Sequence, residues 1–127
     1  MDAGIWRQVK GDFDFVLGEL PTALAAEGFG IVTQINLQQT FKDKLGRDTP
    51  RYRIIGACNP ALAFEAVQLD PHIGLRLPCN IVLYEAEGNT MLGAIDPIAT
   101  IGDQGPAFAE LSQRVREKLA RVVASFK

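Results

Sequence analysis

The chain's two cysteines are each followed at once by an asparagine: Cys58-Asn59 in "IIGACNPALAFEAV" and Cys79-Asn80 in "GLRLPCNIVLYEAEGN". Two thiols admit three uses. A thiolate is a nucleophile, so Cys58 attacking and Cys79 resolving would form a redox or sulfur-handling pair. Thiols are also soft ligands, and with His72 they offer three donors to zinc, although the long interval between them lacks the C-x-x-C knuckle of strong zinc signals. The third use is inert packing, because free cysteine is among the most buried residue types.

The two asparagines differ in context. Asn59 precedes Pro60, and Asn-Pro is a helix-start signal: asparagine caps, and proline at the first helical position has the right φ and no N–H to orphan. Cys58 is thereby placed where a strand gives way to a helix N-terminus, whose partial positive charge favours a thiolate. Asn80 follows Pro78-Cys79 at a strand start and has no capping role, so its amide is a candidate to bind the loop carrying Cys58 or a small ligand. Cys58, Asn59, Cys79 and Asn80 are the candidate ligand-binding residues, with Cys58 and Cys79 the candidate catalytic pair. His72, in "DPHIG", reads as a loop surface residue.

Positioning these residues falls to elements that the apolar periodicity outlines. "IWRQVKG" alternates as a short strand. "DFDFVLGELPTALAAEGF" places Phe13, Val16, Leu17, Leu20 and Leu24 at helical spacing, with Asp12 as N-cap, Gly28 as stop, and Pro21 inside, which predicts a kink or two pieces. "FGIVTQIN" reads as a strand with Ile31, Thr33 and Ile35 on one face, and "LQQTFKDKLG" as a short helix. "RYRIIGACN" alternates as a strand with Ile55 and Ala57 opposite Ile54 and Gly56. "PALAFEAVQL" is a helix that ends near Asp70-Pro71.

"CNIVLYEAE" and "TMLGAID" flank Gly88-Asn89, a two-residue hairpin signal that predicts Glu85 opposite Leu92, Leu83 opposite Ala94 and Ile81 opposite Asp96. Asp96 then neighbours Cys79 on one face, where a carboxylate would raise the thiol's pKa. One hairpin face carries Ile81, Leu83, Leu92 and Ala94, the other Val82, Tyr84, Met91 and Ile95. A sheet apolar on both sides needs cover on both, from helices or from a second copy of the chain. A long helix closes the sequence, with Phe108, Leu111, Val115, Leu119, Val122 and Phe126 on one stripe.

The 127 residues lie near the commonest single-domain size, and one α+β domain over 1–127 is expected, in the order β-α-β-α-β-α-β-β-α with a mostly antiparallel sheet. Thirteen basic against fifteen acidic side chains leave no surplus to neutralise a phosphate backbone, so nucleic acid is not an expected partner. No apolar run approaches the length of a bilayer span, and the opening "MDAGIWRQVK" lacks a secretory pattern, which points to the cytoplasm. In that compartment the cysteines are expected as thiols.

The run "GFGIVTQIN", "KDKLG", "YRIIGACNPALAFEA", "GLRLPCNIVLYE" and "AIDP" resembles the bacterial and archaeal family called domain of unknown function 302, over nearly the whole chain. The resemblance implies a compact α+β domain in a TATA-binding-protein-like arrangement, usually a homodimer, with no established activity. Members commonly carry acidic residues on either side of an isoleucine in the second strand. This chain has Gln34 and Asn36 around Ile35, which argues against a hard-cation site there.

No Ser-His-Asp order, Gly-rich phosphate cradle or H-E-x-x-H occurs. The expected function is a non-catalytic homodimeric binding or interaction module with a small pocket near the ACNP and LPCN segments and no cofactor, its partners being itself and a small molecule. The alternative is a thiol-based redox or sulfur-handling protein using Cys58 and Cys79.

Overall fold

The computed structural model describes residues 3–127. Among these residues, five strands and five α-helices follow in the order β1 (Gly4–Val9), α1 (Phe13–Ala25), β2 (Gly30–Asn36), α2 (Leu37–Leu45), β3 (Tyr52–Cys58), α3 (Pro60–Leu69), β4 (Cys79–Ala86), β5 (Asn89–Ile95), α4 (Pro97–Ile101) and α5 (Pro106–Ala124). A 3-10 turn over Pro71–Arg76 joins α3 to β4. The expected α+β order holds, with that turn and α4 added. Both additions open on Asp-Pro: Asp70 accepts from the His72 N–H, and Asp96 accepts from the Ile98 N–H. Asp96-Pro97 thus ends a strand and starts a helix.

The strands form one sheet in the order β1-β5-β4-β3-β2, antiparallel at every pairing. Ile55, Ile81, Leu83 and Leu92 lie fully buried on one face with Val16, Leu20 and Leu24 of α1 and Leu119 and Val122 of α5. The opposite face carries Trp6, Tyr52 and Tyr84, stacked or edge-on at centroid distances of 5.6 and 6.0 Å. Gly93 permits this, because a Cβ there would collide with the Trp6 ring. Among the described residues, no helix is long and apolar enough to cross a membrane.

Three local expectations are corrected. Helix α1 runs unbroken from Phe13 to Ala25 through Pro21. Pro21 is exposed, and the helix continues past it without the one i−4 hydrogen bond that its missing N–H would have made. The hairpin turns at Glu87-Gly88, not Gly88-Asn89: both residues take positive φ, 53° and 77°, as a two-residue type I′ turn requires. The register accordingly moves by two residues, to Leu83 opposite Leu92 and Ile81 opposite Ala94, and an even shift leaves every side chain on its expected face. In β2 a bulge between Ile31 and Thr33 sets Ile31 opposite Ala57 and Thr33 opposite Gly56. The extra residue, Val32, breaks the alternation, so Ile31 joins the core while Thr33 and Ile35 follow the other face.

Candidate functional site: an apolar cavity at the ACNP and LPCN segments

Strand β3 and the start of α3 bring Ala57, Cys58 and Asn59 to one end of the sheet, and the β3–β4 ladder sets Cys79 opposite Ala57. Above that end lie α3, the 3-10 turn, α4 and α5. Between them is a cavity of about 60 Å³, lined by Cys58, Asn59 and Cys79 together with Leu62, Ile73, Leu77, Ile101, Phe108, Leu111, Ser112 and Val115. Ion pairs tie together the elements that surround it. Arg114 of α5 grips Glu65 of α3 through two bonds of 2.9 and 3.1 Å, and Arg116 Nε donates to Asp96 at 3.1 Å. The Arg114 bond holds the Glu65 carboxyl below its ordinary range. At the mouth, Arg76 donates to the Thr100 carbonyl.

The four candidate residues separate here. Asn59 Oδ1 accepts from the Leu62 N–H at 3.3 Å, and its Nδ2 donates to the Glu27 carbonyl at 3.2 Å. It caps α3 as expected and also ties it to the turn after α1. Gly28, at φ 85°, makes room for that amide, since a Cβ would stand 2.9 Å from Nδ2. Cys58 and Cys79 are free thiols, both partly buried on the cavity lining. Burial first, and the neighbouring Cys58 second, push the Cys79 thiol from 9.0 up to about 11. The direction is the expected one but the cause is not Asp96, whose carboxylate is taken up by Arg116.

Asn80 is exposed and lies off the cavity, opposite Gly56 in the ladder. Strand alternation from Cys79 is the reason: adjacent residues point to opposite faces. His72 is highly exposed, beside Asp70 at 3.8 Å, and lines a separate surface depression with Leu75 and Gln104. The fold therefore does not bring it to the two thiols, and among the described residues no group of three or more histidine, cysteine or acidic side chains is placed to hold a metal.

Most of the cavity wall escaped the sequence reading. Ile73 sits in a turn with no periodic signal. Ser112 had one: it stands four residues after Phe108 and three before Val115, on the same helical stripe, and is 3% exposed.

The antiparallel sheet with its helix-covered face and end cavity defines an α+β protein of a recognisable family. The family model for the domain of unknown function DUF302 matches residues 5–126, and the chain belongs to that family. It is similar across the full length of both chains, with a TM-score of 0.89 and 24% identity, to an uncharacterized conserved DUF302 protein from Bacillus stearothermophilus whose crystal structure is known. At that identity the likeness is one of fold. No curated protein matches the chain.

Proposed function

We propose that this chain is a non-catalytic module that binds a small molecule in the cavity beneath Cys58-Asn59 and Cys79, and that it works as a homodimer in the cytoplasm. The observation that carries the reading is the cavity itself: an apolar concavity with few polar groups is the usual form of a small-ligand site. Its size restricts the ligand to a few non-hydrogen atoms or to one end of a longer molecule. The chemistry of Cys79 favours binding over thiol exchange. A thiol raised to about 11 is almost wholly protonated at neutral pH, and the protonated form is a poor nucleophile.

Xenon is a suitable first probe, because it enters apolar cavities without polar selectivity. Under a few atmospheres of xenon, methyl resonances of Leu62, Ile73, Leu111 and Val115 are expected to shift together and saturably. Absence of such shifts, or shifts scattered over the surface, would remove the cavity as a site.

Pairing with a second copy is supported by the second sheet face, where Trp6 is 46% exposed beside Tyr84, with Tyr52, Val82 and Met91 only partly buried. Light scattering at micromolar concentration is expected to give the mass of a dimer, and Trp6→Lys to give a monomer that still takes up xenon. A monomeric wild type would end the dimer reading and leave the cavity untouched.

A further inference from the structure

Buried hydroxyls almost always find a hydrogen-bond partner, since one left alone forfeits the bonds it made to water. Serines and threonines in helices have an easy solution, a bond back to the carbonyl three or four residues earlier. This chain uses it repeatedly: Thr40 Oγ1 donates to the Asn36 carbonyl at 3.1 Å, Thr100 Oγ1 to the Asp96 carbonyl at 3.0 Å, and Ser125 Oγ to the Val122 carbonyl at 2.6 Å. Ser112, mid-helix in α5, does not. Its Oγ is buried without a partner among the described residues, and it lines the cavity next to Leu111 and Val115.

Besides Ser112 the lining carries Asn59, Thr100 and Arg76, whose side chains already bond within the protein, and the remaining walls are mainly carbon and thiol. A charged ligand group placed against them would lose its hydration for a single neutral hydrogen bond, which is a poor exchange. The complement of a hydroxyl with an idle O–H is a neutral acceptor. The cavity volume of about 60 Å³ limits the buried part of a ligand to a handful of non-hydrogen atoms.

Resting on the reading of the cavity as a ligand site, we propose that Ser112 is its polar anchor and that the ligand class is a small uncharged carbonyl compound, a ketone, aldehyde or ester with a short carbon body, whose oxygen accepts from Ser112 Oγ. No covalent step is involved. Arg76, at the mouth, stays with the Thr100 carbonyl and takes no part.

The test uses two probes of one shape, 2-butanone and 2-methyl-1-butene, in which a methylene replaces the carbonyl oxygen. Each is titrated into wild type and Ser112→Ala, with binding read from methyl shifts of Leu62, Leu111 and Val115. Ser112→Ala is expected to weaken 2-butanone by about five- to tenfold, the worth of one neutral hydrogen bond, and to leave 2-methyl-1-butene unchanged or tighter. It is also expected to raise the melting temperature, as removal of an unpartnered buried hydroxyl should; a fall would mark the serine as a structural residue and overturn the proposal. Equal response of both probes to Ser112→Ala would overturn the anchor while leaving the cavity as a site. Failure of xenon and both probes to bind, with only an ordered water on Ser112, would overturn both readings at once.

Discussion

Cys58-Asn59 and Cys79-Asn80 are the same dipeptide at the same end of one sheet, yet they do different work. The first ends a strand and starts a helix, so its asparagine turns inward, caps α3 and holds the Glu27 carbonyl, while its cysteine stands at the cavity. The second starts a strand, so strict alternation sends Cys79 to the cavity and Asn80 to solvent. Residue type thus sets what each side chain can do, and the backbone on either side of it decides whether it does so.

That contrast is open to direct attack. Asn59→Ala should have the largest effect, a loss of about 3 kcal/mol in urea denaturation: up to roughly 2 from the cap and about 1 from the bond to the Glu27 carbonyl. A loss below about 1 kcal/mol would mean that Asn59 is no more structural than Asn80. The alkaline limb of stability comes next. The native Cys79 thiol, raised from 9.0 to about 11, keeps a proton that the unfolded chain gives up. Stability from this group is therefore unaffected below about pH 9, falls as pH rises from about 9 to about 11, and levels off beyond. The full drop is roughly 2 to 3 kcal/mol. Cys79→Ala should flatten that limb, and an unchanged pH profile in the variant would contradict the assignment.

Gly56, which pairs with Asn80, sharpens the comparison from the other side. A Cβ there would collide with the Thr33 hydroxyl and stand 2.6 Å from Pro78 Cγ. Gly56→Ala should cost about 2 kcal/mol by overpacking, and should shift the backbone resonances of the 77–80 segment more than those of 58–60. At neutral pH, Cys79→Ala should cost about 1 kcal/mol through a small added void. Asn80→Ala closes the series at under about 0.5 kcal/mol, the ordinary range for an exposed side chain with no partner to lose. A value near that of Asn59→Ala would dissolve the distinction between the two segments.

Much of the fold was legible because local rules suffice where an element is built from its own residues. Asp12 and Asn59 announced their helices, and both caps form. Alternation in β3 and β4 separated the core residues Ile55, Ala57, Ile81 and Leu83 from their neighbours before any sheet was assembled. Where a choice lay between two nearly equal local signals, reading failed. Glu-Gly and Gly-Asn both offer a two-residue turn, and the ladder from Ala86–Asn89 onward favoured the first. The Val32 bulge left no mark in the apolar pattern, because Ile31, Thr33 and Ile35 alternate perfectly in sequence.

The sequence alone determined the family, the order of the five strands and of all helices but α4, the antiparallel hairpin, and the places of Cys58 at a strand end and Cys79 at a strand start, since each follows from contacts within a few residues or from short motifs. Tertiary structure alone decided that Ser112 of the last helix, Ile73 of a turn and Phe108 stand around those cysteines. It also decided that Asn80 and His72 do not. Those placements depend on how α3, α4 and α5 pack over the sheet end, with Arg114 on Glu65 and Arg116 on Asp96, and such packing is set by the shapes of surfaces far apart in the chain rather than by periodicity within it.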